Sequence, residues 1–82
     1  MQDKDMANML IQQYQKGLQQ EKKCYEEYQV VYQKAQEDYE KNIEDIDWNA
    51  VNAAYNKYLE EKKEVNRIGR LALQYVIKAG VL

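Results

Sequence analysis

Six apolar or aromatic residues stand at strict seven-residue intervals along the first half of this chain: Ile11, Leu18, Tyr25, Tyr32, Tyr39 and Ile46. A repeat of seven spans two helical turns and marks a helix that buries one long seam against another helix. The ladder therefore predicts a long helix that needs a helical partner. Its middle rungs are tyrosines, whose faces are apolar and whose rims are polar.

The partner has to come from within 82 residues or from another molecule. A core of that size supplies only about 3–5 kcal/mol unless it is stapled or oligomeric. Staples are absent, because Cys24 is the sole cysteine and the chain has no histidine, so neither an intrachain disulfide nor a Cys/His metal site can form. Ser, Thr, Pro and Phe are missing too. Gln, Glu, Lys, Ala, Tyr and Leu dominate, and most of these favour or tolerate helix. An all-α fold is expected.

The spacing predicts a first helix over about residues 4–44, a turn at about 45–47 and a second helix over about 48–79. Asp3 and Asp5 suit the positive end of the first helix. A second row, Tyr14, Glu21, Tyr28, Ala35 and Asn42, and a flank of Leu10, Cys24 and Val31 lie beside the ladder. Gly17 is a place where this helix can kink. Asp47 is positioned to cap the second helix, with Ile46 and Val51 as a hydrophobic staple. The second seam reads Val51, Tyr58, Val65, Ala72 and Ala79, beside Ala54, Ile68 and Tyr75. Gly80 suits a left-handed C-terminal cap with Val81 folding back.

A connection this short makes the helices antiparallel neighbours, a coiled-coil-like two-helix hairpin. Pivoting at Ile46–Trp48, residue i is expected to face about residue 94 − i, which sets Tyr25 against Gly69 and Ile68, and Leu18 against Tyr75 and Val76. Tyr39 then meets Tyr55 and Val51, and Tyr32 meets Glu61 and Lys62. Charge agrees with pairing: residues 1–46 carry six basic and ten acidic groups, and residues 47–82 carry six basic and four acidic.

At the open end the second helix is apolar on nearly every side. Leu73 and Ile77 point away from its seam, as Met6 and Met9 do across from them. Met6, Met9, Leu73 and Ile77 are therefore the candidate oligomer interface, most simply of a homodimer that completes a four-helix bundle.

Most reaction chemistry is excluded. Without Ser, Thr or His there is no hydroxyl–imidazole nucleophile and no histidine base, and the three glycines stand too far apart for a phosphate loop. Cys24 is flanked by Lys22, Lys23, Glu26 and Glu27, and reads as a structural thiol. The acidic run from Glu37 to Asp47 lacks the spacing and glycine of a calcium loop. No cofactor or metal is expected. Within that run Glu40, Glu44 and Asp45, with Trp48 beside them, are candidates for binding a protein partner. Lys62, Lys63, Arg67 and Arg70 form a stripe able to track phosphates, although Glu60 and Glu64 stand three residues before Lys63 and Arg67. A Trp at the turn between two helices resembles small secreted WXG-type hairpins in architecture and one residue. Ala50 stands where that motif has glycine, and the family is not assigned.

The expected function is non-enzymatic: a small regulator, inhibitor or chaperone-like subunit that binds itself and another protein. The alternative is a nucleic-acid-associated module using the Lys62–Arg70 stripe. No apolar run is long enough for a membrane, and Met1–Met9 has no signal-like core, so a cytoplasmic protein is expected. The composition suggests a bacterial or phage coding source.

Overall fold

The computed structural model describes residues 2–80, and within them the chain forms two helices, α1 (Asp3–Glu40) and α2 (Trp48–Lys78). They pack side by side over a long axis of 59 Å, with the other two extents only 18 and 14 Å. At 1.5 Å per residue, the 38 residues of α1 account for nearly all of that length.

The first turn of α1 carries Asp3 and Asp5, and Gln2 supplies no side-chain cap. Charge at the helix dipole thus replaces a capping hydrogen bond. α1 stops four residues before its expected end. Asn42 adopts a left-handed backbone, φ +58°. Its N–H donates to the Tyr39 carbonyl and that of Ile43 donates to the Asp38 carbonyl, at 3.1 and 3.0 Å. These two bonds are a Schellman termination, with Asn in the place glycine usually takes. Asn42 therefore leaves the seam row in which its spacing put it.

The connection is longer than expected, residues 41–47, and α2 begins where expected. Its first free N–H groups are met by Asp47, whose carboxylate accepts from the Ala50 N–H at 3.0 Å. Ile46 is half-buried and Val51 is buried, which suits a staple. At the far end Gly80 takes the left-handed conformation, φ +71°, and donates to the Ile77 carbonyl. The expected fold-back of Val81 lies outside the described residues.

The seam differs from the one the ladder predicts. Ala7, Leu10, Cys24 and Ala35 are the buried residues of α1, facing Val51, Val65 and Ala72 of α2. Tyr14, Gly17, Glu21, Tyr28, Val31 and Asp38 fill the intervening positions, half-buried. Together they form two interleaved seven-residue rows, one residue off the ladder. On α2 the expected seam is the observed one, with Tyr58, Ala54, Ile68, Tyr75 and Ala79 half-buried along it.

Small residues explain the difference. A β-carbon added at Gly17 would stand 2.9 Å from a Val65 methyl, and one added at Gly69 would stand 3.0 Å from the Tyr14 ring. The backbones approach too closely there for a ladder of large rings between them. Gly17 does not break α1, which runs through it as one helix; it is a notch for Val65.

The register moves as well. Gly17 meets Val65, Tyr14 meets Gly69, Tyr25 meets Tyr58, Tyr28 meets Tyr55, and Glu27 pairs with Lys57. Residue i thus lies level with about residue 83 − i, not 94 − i. The seven-residue connection folds back, so Asp47 and Ala50 line one hollow with Val31 and Ala35. The pairings expected for Tyr39, Leu18 and Tyr32, and the seating of Tyr25 on Gly69, are displaced by the same three helical turns.

Candidate interaction surface

Two flanks border the seam, and they differ. Take Ala7, Tyr14, Glu21, Tyr28 and Ala35 as heptad position a, with Leu10, Gly17, Cys24, Val31 and Asp38 as d. The ladder then occupies position e, beside a. On α2 the matching e positions are Trp48, Tyr55, Lys62, Gly69 and Val76. In an antiparallel pair the two e rows lie on the same side, and the g rows lie on the other.

On the e side the ladder is half open: Ile11 is 37% exposed, Tyr25 is 42%, and Tyr39 is 68%. Leu18, Tyr32, Trp48, Tyr55 and Leu73 are also exposed. Near the open end Ile11, Tyr14, Gly69, Leu73 and Val76 line one shallow hollow. At mid-length four tyrosine rings close a cycle: Tyr25 to Tyr28 at 6.3 Å, Tyr28 to Tyr55 at 5.2 Å, Tyr55 to Tyr58 at 6.4 Å, and Tyr58 to Tyr25 at 5.2 Å. Tyr32 joins it through Tyr28 at 6.0 Å. All five contacts are tilted by 44–52°, a geometry that sets ring edges against ring faces. The Lys62 ammonium lies 5.9 Å from the Tyr58 ring centre. Lys4, Lys22 and Lys62 are the only charges at the e and b positions of this flank within the helices.

The g side is different in kind. Glu27 and Lys57 pair across it at 3.4 Å. Lys16, Lys23, Lys34, Glu37, Glu60 and Glu64 stand at its g and c positions. Two large exposed apolar residues, Met9 and Val30, interrupt them.

Met9, Leu73 and Ile77 are exposed and Met6 is half-buried, but the hairpin does not gather them on one patch. Leu73 lies with Ile11 on the aromatic flank. Met6 and Met9 fall at g and c, on the charged side, and Ile77 points outward at f. Sequence reading put the ladder in the core and therefore missed that it belongs to the surface.

At the tip Glu40, Glu44, Asp45 and Trp48 are all exposed, and Trp48 continues the aromatic flank to its end. Asp38, Asp45 and Asp47 share a hollow with Lys34 and Val30. Among the described residues no group of three or more His, Cys, Asp or Glu is placed to hold a metal ion.

The basic stripe is partly neutralised. Lys63 pairs with Glu60 at 3.8 Å, and Arg67 makes a two-pronged pair with Glu64 whose Nε arm is 3.1 Å. The hydrogen bond from Arg67 holds the Glu64 carboxyl below its ordinary range and raises the guanidinium in return. Lys62 leans toward Tyr58, away from the stripe. Cys24 is 1% exposed and accepts a weak hydrogen bond from the Gln20 amide at 3.7 Å.

Fold and surface together define an antiparallel α-helical hairpin with one charged and one aromatic flank. No protein-family model, curated protein or solved structure matches this chain. No helix among the described residues is long and apolar enough to cross a membrane.

Proposed function

We propose that this hairpin is a non-enzymatic protein–protein interaction module that works by burying its aromatic flank against another helical surface. A small regulator, inhibitor or chaperone-like subunit acts in this way. The observation that carries the reading is the asymmetry of the flanks. Exposed single hydrophobic residues are ordinary, but here they run in line from Ile11 and Leu73 to Tyr39 and Trp48. Tyrosine and tryptophan are also the side chains that anchor interfaces, because they supply large contact area with little rotamer entropy to lose. The acidic tip then serves to orient a partner and not to anchor it.

Site-specific photo-crosslinking tests the reading. A benzophenone side chain at position 18, on the aromatic flank, is compared with one at position 23, on the charged flank, in cells producing the full chain. Adducts to a polypeptide, its own or another, are expected from position 18 and not from 23. An absence of adducts from position 18 refutes the proposal.

A further inference from the structure

We infer that the occupant of the aromatic flank is a second copy of this chain, lying so that α1 of each protomer covers α2 of the other. The inference rests on the interaction-module reading and adds the partner and its orientation.

Size fits first. The 31 residues of α2 fix an overlap of about 46 Å. With a width of 18 Å, the flank offers roughly 800 Å² per protomer, the amount a stable specific interface uses. A second hairpin presents the same length and the same two-helix width.

Charge sets the orientation. α1 carries five basic and eight acidic residues, a balance of −3, and α2 carries six basic and three acidic, a balance of +3. Two symmetric dimers are available through one flank. A two-fold axis along the hairpin lays each α1 on the partner's α2, and unlike helices meet. A two-fold axis across the hairpin lays α2 on α2. Lys62 lies on the flank near the middle of α2, so that dimer brings its two copies together at the axis. In the first arrangement Lys62 is instead level with Glu21 of the other copy, with that copy's Lys22 one residue along.

The ends agree with this choice. Ile11, Leu73 and Val76 make the open end of the flank aliphatic, whereas Tyr39, Trp48 and Tyr55 make the tip aromatic, beside Glu44 and Asp45. An axis along the hairpin sets aliphatic end on aliphatic end and keeps both acidic turns in water.

Two measurements decide. Sedimentation equilibrium of the full chain is expected to give twice the 9.8 kDa protomer mass. Spin labels are then placed by Asp3→Cys or, separately, Glu44→Cys in a Cys24→Ala background, and distances are read by double electron–electron resonance. Each label is expected at about 20–30 Å from its counterpart, the diagonal of a bundle with axes 8–10 Å apart plus two label arms. A dimer with either label on the order of 50 Å from its counterpart, as the 59 Å long axis dictates for opposed ends, overturns the orientation and leaves the interaction module standing. A monomer at high micromolar concentration overturns the second copy as occupant; the reading itself fails only if position 18 yields no adducts. Should Cys24→Ala not fold, the unlabelled protein still decides. Unlike helices in contact make the dimer weaken between 0.05 and 0.5 M salt, and a dimer that tightens refutes the arrangement.

Discussion

Gly17→Ala is the sharpest probe of how these helices meet. In an exposed helix, glycine to alanine is a gain of roughly 0.8–1 kcal/mol, because the unfolded chain loses freedom it would otherwise keep. Here the added methyl would stand 2.9 Å from a Val65 methyl. Val65 is 3% exposed and β-branched, so it has no easy rotamer to which to retreat. Overpacking of that kind costs about 1–3 kcal/mol. The net expectation is a loss of roughly 0–2 kcal/mol, or a melting temperature lowered by up to about 15 °C at this chain length. Val65→Ala removes the obstructing methyl, at a cost of its own. On that background Gly17→Ala is expected to stabilise by up to about 1 kcal/mol, so the substitution changes sign and the coupling is about 1–3 kcal/mol. Urea unfolding followed by circular dichroism at 222 nm measures all four proteins, at one concentration because association shifts the midpoint. If Gly17→Ala stabilises the otherwise unaltered protein by the full 0.8–1 kcal/mol, the close approach and the register built on it are wrong.

Three further expectations follow from the ends and the surface. Asp47→Ala removes the cap on the Ala50 N–H and is expected to cost about 1 kcal/mol, while Asp47→Asn keeps most of it, as read from the same urea midpoints. Asn42→Ala removes the short polar side chain that lets asparagine tolerate the left-handed region and is expected to cost on the order of 1 kcal/mol, whereas Asn42→Gly is neutral or stabilising; equal losses from both would show that the left-handed turn is absent. Labelled duplex and single-stranded DNA are expected to show no mobility shift with the protein at low salt, since Glu60 and Glu64 already engage Lys63 and Arg67; a shift that disappears with salt and with Arg70→Glu would favour the nucleic-acid reading.

How far the chain could be read from its letters differs between the two helices. On α2 the buried positions Val51, Val65 and Ala72 are the apolar row that the seven-residue spacing picks out, although Tyr55, Leu73 and Ile77 stay exposed. On α1 the spacing picks out a different row from the buried one. The seam holds Gly17, Glu21, Cys24 and Ala35, which are small or polar, and the largest side chains lie one position over. A pattern weighted by bulk finds the ladder, whereas helices that approach closely are selected by smallness. The caps at Asp47 and Gly80 were legible because Asp and Gly have strong positional meaning at helix ends. Asn42 carries the same meaning more weakly, and passing over it lengthened α1, shortened the turn and moved every cross-pairing by three turns. The surface was displaced with the seam: tyrosines assigned to the core line the open flank, and Met6 and Met9 part from Leu73.

The two notches also bear on how the hairpin finds its alignment. A seam that repeats every seven residues fits nearly as well when one helix slides by seven. Closure starts at the turn, where contacts are local and loop entropy is small. Nothing periodic laid down there distinguishes the true alignment from a slipped one. Val65 in the Gly17 gap and Tyr14 in the Gly69 gap break the repeat. A slide of seven residues would set Val65 opposite Cys24 or Leu10, where there is no gap to receive it. Both notches lie toward the open end, so a chain closing from the turn meets its alignment check late, and a mispaired hairpin must reopen over most of its length to correct itself.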